Sequence, residues 1–109
     1  MARYDKVHMI VRAPAGTALA TAGSVQSVTL NAGGSVVPAT AANALGVIVV
    51  PGTVTLGHVI GVLVHGEIVE YGGVAGTKYF AQAGGTVGTA SSATPVGWTV
   101  EADRLVVDM

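Results

Sequence analysis

The sequence predicts an all-β protein: a small barrel or sandwich of short antiparallel strands with an extended N-terminal arm. Three observations predict it. Half of the 109 residues are apolar but only 5% are aromatic, so the bulk is Val, Ala and Gly. Val is stiff at χ1 and favours pleated strands. The 16 glycines oppose helix, where each costs about 1 kcal/mol relative to Ala. Finally, short apolar runs recur between turn residues, and no helix-period segment of useful length occurs.

Residues 1–12 form the arm, and residues 13–109 a single β domain. The arm holds Arg3, Lys6 and Arg12 against Asp5, a net +2, and Pro14 and Gly16 would let it diverge from the body. It reads equally as a frayed or edge-pairing terminus and as an arm that docks on a partner. On the docking reading, deleting it leaves the fold intact and weakens binding. Val25, Val28 and Leu30, then Val36 and Val37, suggest short strands around a turn at Asn31-Ala32-Gly33-Gly34. Ala39 to Ala44 fits a short helical turn. Leu45-Gly46-Val47-Ile48-Val49 reads as a buried strand stopped by Pro51-Gly52, and Val59 to Val64 as a strand apolar on both faces. Gly61 marks a bulge or a close backbone approach. His65-Gly66 breaks the run, and Glu67 to Tyr71 resumes it with alternation. Lys78 to Ala81, a glycine turn at Gly84-Gly85, Thr86 to Gly88, and a Pro95–Val100/Arg104–Asp108 hairpin complete the order.

Leu45 to Val64 is twenty residues without a formal charge, long enough for a membrane helix. Its proline, four glycines and many β-branched residues favour two strands around a turn instead. The start of the chain is not followed by an apolar signal core, so no secretory signal is expected.

Charge is scarce: 10% of residues, against about 25% in an ordinary domain. No Asp, Glu, Lys or Arg lies between Arg12 and Glu67. Such a surface suits a chain that spends its life in an assembly. The rest of the chain, beyond the arm, sums to -3 from Lys78 and Arg104 against Glu67, Glu70, Glu101, Asp103 and Asp108. A basic arm on an acidic body results.

Chemistry is hard to find. There is no cysteine and no Gly-x-Ser-x-Gly, and the serines fall in loop-like stretches, so no activated nucleophile is expected. His65 and Glu67 share a face if the strand is regular, but two ligands do not make a tight metal site. His58 follows Gly57 in a turn and reads as exposed. Glu67 and Glu70 have odd spacing, and Glu101 and Asp103 lie in a hairpin turn; neither pair reads as a glycosidase dyad. Gly84 to Gly88 lacks the Lys-Ser/Thr ending of a phosphate loop. The acidic body opposes nucleic-acid binding, and Trp98, Phe80 and the tyrosines read as core or interface fillers. No catalytic residue, metal or cofactor is expected.

One resemblance rests on order and spacing from Leu45 onward. Leu45-Gly46-Val47-Ile48 is followed by Gly57-His58-Val59-Ile60-Gly61-Val62 and by Val64-His65-Gly66-Glu67-Ile68-Val69-Glu70. Gly76-Thr77-Lys78-Tyr79-Phe80-Ala81 and Val96-Gly97-Trp98-Thr99-Val100-Glu101 come next, before a last apolar strand. This resembles the head decoration, or cement, proteins of tailed bacteriophages, broadly the lambda head decoration group. The opening Tyr4-Asp5-Lys6-Val7 is loosely similar too, and residues 13–44 match little. The resemblance implies a virion protein on the outer capsid surface, made in the host cytoplasm. It would bind the major capsid protein, commonly as a homotrimer, and stabilise the shell by bridging capsid subunits. In that group the N-terminal segment is often ordered only on the capsid, which makes Arg3, Tyr4, Lys6, Val7 and His8 the docking candidates. Another virion β module, from a tail or a head fibre, is the alternative; a carbohydrate-binding module is a more distant one. Nucleic acid and membrane are not expected partners.

Overall fold

A computed structural model describes residues 2–17, 24–50 and 55–109. It is all-β, a curled antiparallel sheet forming a half-barrel. Nine strands are described: β1 (Arg3–Pro14), β2 (Val25–Leu30), β3 (Val36–Pro38), β4 (Gly46–Val49), β5 (Val59–Val69), β6 (Lys78–Ala81), β7 (Val87–Gly88), β8 (Pro95–Glu101) and β9 (Arg104–Asp108). A short 3-10 turn, Ala83–Gly85, stands at the expected glycine turn. The expected stop at Pro51-Gly52 lies outside the described residues. Residues 41–43 form a turn, not a helix. No helix among the described residues is long and apolar enough to cross a membrane.

The long strand β5 is the axis of the sheet. One of its edges pairs antiparallel with β1 along its whole length, from Arg3–Val69 to Pro14–Val59. The other edge is shared. β4 takes it at Val47–Leu63, and β9 takes it from His65–Asp108 to Val69–Arg104. The sheet therefore forks. One branch runs β4-β2-β3 and the other β9-β8-β6-β7.

Each branch closes over its own core. On the first, the isolated parallel bridge Ala15–Val36 brings the end of β1 back to β3. Inside lie Ala13, Val28, Val36, Ile48, Val50, Ile60 and Val62. Every one of these falls in the uncharged stretch. The second core holds Val47, Leu63, Ile68, Tyr79, Val96, Leu105 and Val107. Alternation makes β4 and β5 a common wall: Ile48 and Val62 point into one core, Val47 and Leu63 into the other. That is why these two runs are apolar on both faces. Burying side chains of this size contributes about 1.5–3 kcal/mol each.

His65-Gly66 does not break the strand as expected. β5 runs through it with a bulge. Leu63 pairs with Ile10 and His65 with Met9, which leaves Val64 as the extra residue. One extra residue reverses the pleat, so Leu63 and Ile68, five apart, face the same core. Two glycines let the strands cross tightly at this bend. Gly66 and Gly97 both pair with Val107. A Cβ on Gly66 would lie 2.1 Å from the Lys6 carbonyl oxygen, and one on Gly97 1.8 Å from that of Val106.

The arm is extended, and it is also paired. Of its two readings, edge pairing is the one seen. Nor do Pro14 and Gly16 lead it away from the body. The Ala15 N–H donates to the His58 carbonyl at 2.7 Å and the Gly16 N–H to that of Val36 at 2.7 Å. Ala2 and Ala13 are core residues.

Candidate functional site

The five docking candidates lie on β1, and their roles separate. The Arg3 guanidinium is ion-paired with the Glu70 carboxylate at the far end of β5. The Lys6 ammonium lies 3.8 Å from Glu67. Glu67, only 16% exposed, also meets Arg104 at 3.4 Å, and Arg104 reaches Glu101 at 2.8 Å. Two of the arm's three cations thus face carboxylates of their own chain, though Arg3 and Lys6 keep side-chain exposures of 62% and 59%. Tyr4 is a fold residue. Its hydroxyl donates to the Gly61 carbonyl at 3.0 Å and accepts the Val49 N–H at 3.1 Å. It fills the gap where β4 and β5 part beyond their single pair. Burial raises its pKa against the lowering effect of the Val49 hydrogen bond. The close approach expected at Gly61 is made by Ile10 and by this hydroxyl. Val7 and His8 are exposed, beside a register shift in the ladder. They and Met9 are the outward-facing part of the strand.

The second feature is one that sequence reading did not locate: an apolar groove at the fork. Between the approach to β4 and the end of β9 the sheet has a notch. Leu45 and Val64 form its shared wall. Two adjoining depressions share this wall: an apolar one bounded by Val11, Val28, Leu30 and Val62, and a wider one bounded by Ala44, Thr94, Pro95, Asp108 and Met109. Leu45 is 52% exposed and Leu30 37%. The signal that pointed this way was the absence of charge from residue 13 to residue 66. It marked the region without saying which of its residues face out, because strands buried on both faces show no alternation.

The groups that could have carried chemistry are apart. The His65 Nδ1 lies 3.1 Å from Asp108, while Glu67 faces its two cations. His58 is exposed, as expected from its turn. Among the described residues no three His, Cys, Asp or Glu side chains cluster as metal ligands would. Buried Ser27 donates to the Thr86 carbonyl at 3.0 Å, and Thr99 accepts the Thr77 N–H at 3.1 Å; both hold backbone. Tyr71 and Tyr79 pack edge to face, with centroids 5.1 Å apart. Trp98 and Val100 stand out from β8, about half exposed, and the Lys78 ammonium lies 5.8 Å from the nearby Phe80 ring.

A sheet split into two cores around one long strand is a distinctive shape, and it has a solved counterpart. A structure from Mycobacterium phage Patience is similar to this chain with a TM-score of 0.86, over 98% of this chain and 95% of that one, at 17% identity. The fold is one that a phage uses. No protein-family model matches the sequence. No curated protein matches it either. At 17% identity the likeness establishes a common fold.

Proposed function

We propose that this chain is a structural virion protein of a tailed phage that binds the outer surface of the mature capsid and bridges capsid subunits. The fold shared along nearly its whole length with a phage chain carries the reading. The order of motifs from Leu45 to Met109 supports it, as does the uncharged lobe. Val7, His8 and Met9 on the outer strand, with Arg3 and Lys6 beside them, are the capsid-facing candidates. They offer an exposed strand edge and a mixed apolar and basic face. Stabilisation follows by mass action. A protein that binds the mature lattice and not its dissociated or unexpanded forms shifts the equilibrium towards that lattice. No chemistry is required.

The test is to mix purified protein with expanded, undecorated phage heads and to sediment them. Co-sedimentation with expanded heads, and not with unexpanded ones, is expected. A protein left wholly in the supernatant overturns the reading. A half-exposed Trp98 is what a sugar-binding face would need, and it favours the carbohydrate alternative. Trp98 fluorescence that ignores every glycan tested removes it.

A further inference from the structure

We propose that the outward face of β6, β8 and β9 binds a polysaccharide of carboxylated sugars, with Trp98 as the stacking ring and Lys78 as the cation for the acid. This site goes beyond the capsid reading and stands apart from the capsid-facing strand. In the order β1-β5-β9-β8, β8 lies three strand spacings from β1, about 14 Å.

The sheet builds the platform. Tyr79, Thr99 and Leu105 are buried beneath it, so Lys78, Trp98, Val100 and Val106 stand on its other face. Trp98 lies directly opposite Lys78 on β6 and Val106 on β9. It is 47% exposed, and Val100, two residues on, is 48% exposed. Phe80 and Val106 are half-buried beside them. Because β8 is paired on both sides, the backbone under the ring is held. A sugar ring has an apolar C–H face and a polar rim. An exposed aromatic ring edged by polar side chains matches that division.

Charge narrows the ligand. Among the described residues no carboxylate lies within ion-pair distance of the Lys78 ammonium, which sits 5.8 Å from the centre of the Phe80 ring. The carboxylates of the same face are matched: Glu101 meets Arg104, and Glu67 meets Arg104 and Lys6. The uncompensated charge beside Trp98 is therefore positive and complements an anion. Glu101, with its side chain 69% exposed, keeps acceptor sites for hydroxyls.

Spacing favours a charge carried on the sugar ring itself. Directly opposite residues have Cβ atoms about 4.5–5.5 Å apart. A ring stacked on Trp98 with a carboxylate on its own edge places that acid beside Lys78. A phosphodiester-linked polymer carries its charge between rings, farther from the stacked one.

Trp98 is the one tryptophan of the sequence, so its fluorescence reads this face alone. The intact protein is titrated with polygalacturonate oligomers, with the same oligomers fully methyl-esterified, and with polyglutamate of equal charge. Polygalacturonate is expected to shift the emission saturably. The ester is expected to bind about threefold more weakly, the worth of one exposed ion pair, and polyglutamate to leave the emission unchanged. Lys78→Gln should lower the affinity for polygalacturonate to that for the ester and leave the ester unaffected. Trp98→Ala, followed by calorimetry, should bind neither, with circular dichroism melts checking that both variants keep the fold. Four results overturn the proposal: no response to polygalacturonate, an equal response to polyglutamate, an ester that binds as tightly as the acid, or Lys78→Gln that binds as the wild type does. Heads that bind the chain while polygalacturonate does not would remove this site alone. Saturable polygalacturonate binding by a chain that ignores heads would remove the capsid reading alone.

Discussion

Tyr4 shows how a single hydroxyl can hold a forked sheet together. It bridges a donor on β4 and an acceptor on β5 at the place where their ladder stops. Tyr4→Phe keeps the ring and leaves both backbone groups without that partner. A loss of about 1–3 kcal/mol is expected, read as a lower urea midpoint at unchanged slope. Burial also affects the tyrosines as acids. It raises Tyr4, and it pushes Tyr71 up to about 12 with help from the neighbouring Tyr79. With its folded pKa above its unfolded one, a tyrosine contributes stability that is complete below the unfolded value, near 10, and is lost as pH rises through the folded value. Stability is therefore expected to fall between about pH 10 and pH 12. In Tyr71→Phe the fall should be shallower, as denaturant melts across that range would report. Tyr4 entered as a docking candidate only through the family resemblance. Its inward turn was not legible, because the distance from Tyr4 to Gly61 closes only when β5 bends.

At the scale of elements, β1 matters most. Ten of the twelve residues that read as an arm, Arg3 to Arg12, belong to a strand of the sheet; core residues Ala2 and Ala13 flank them, and Arg3 and Lys6 pair with Glu70 just past β5 and with Glu67 within it. Deleting residues 1–12 strips most of one edge of β5 and takes Ala2 out of the second core. The truncated protein is expected to lose its cooperative melt or to aggregate, not merely to bind less. A truncated chain that melts as the intact one does would contradict this. Strand positions were largely legible: apolar runs bounded by Gly, Pro and Asn mark β2, β4, β6, β8 and β9 closely. The path of β5 through His65-Gly66 was not. A bulge reverses the alternation within one strand, and a sequence shows the reversal as a break.

The whole molecule divides its surface by chemistry. One lobe, built on the uncharged stretch, exposes Leu30, Leu45, Leu56 and Val59; the other carries most of the formal charge, with Lys6, Glu67, Arg104 and Glu101 linked across its strands. A monomeric domain rarely combines an apolar groove with a charge-free lobe. The combination fits a chain whose stability and purpose are completed by neighbours. Composition alone implied neighbours, and the order of motifs implied a phage head. The groove needed the fold, because its walls come from β1, β2, β5, the approach to β4, the start of β8 and the end of β9, which sequence distance keeps apart.

The most direct measurement is saturation binding. Protein is titrated onto expanded, undecorated heads and the pelleted ratio of chains to capsid subunits is read. A plateau at a fixed ratio, with no pelleting on unexpanded heads, is the expected result. Absence of binding, or binding that climbs without a plateau, would contradict the account of this chain as a module that packs on a mature phage shell.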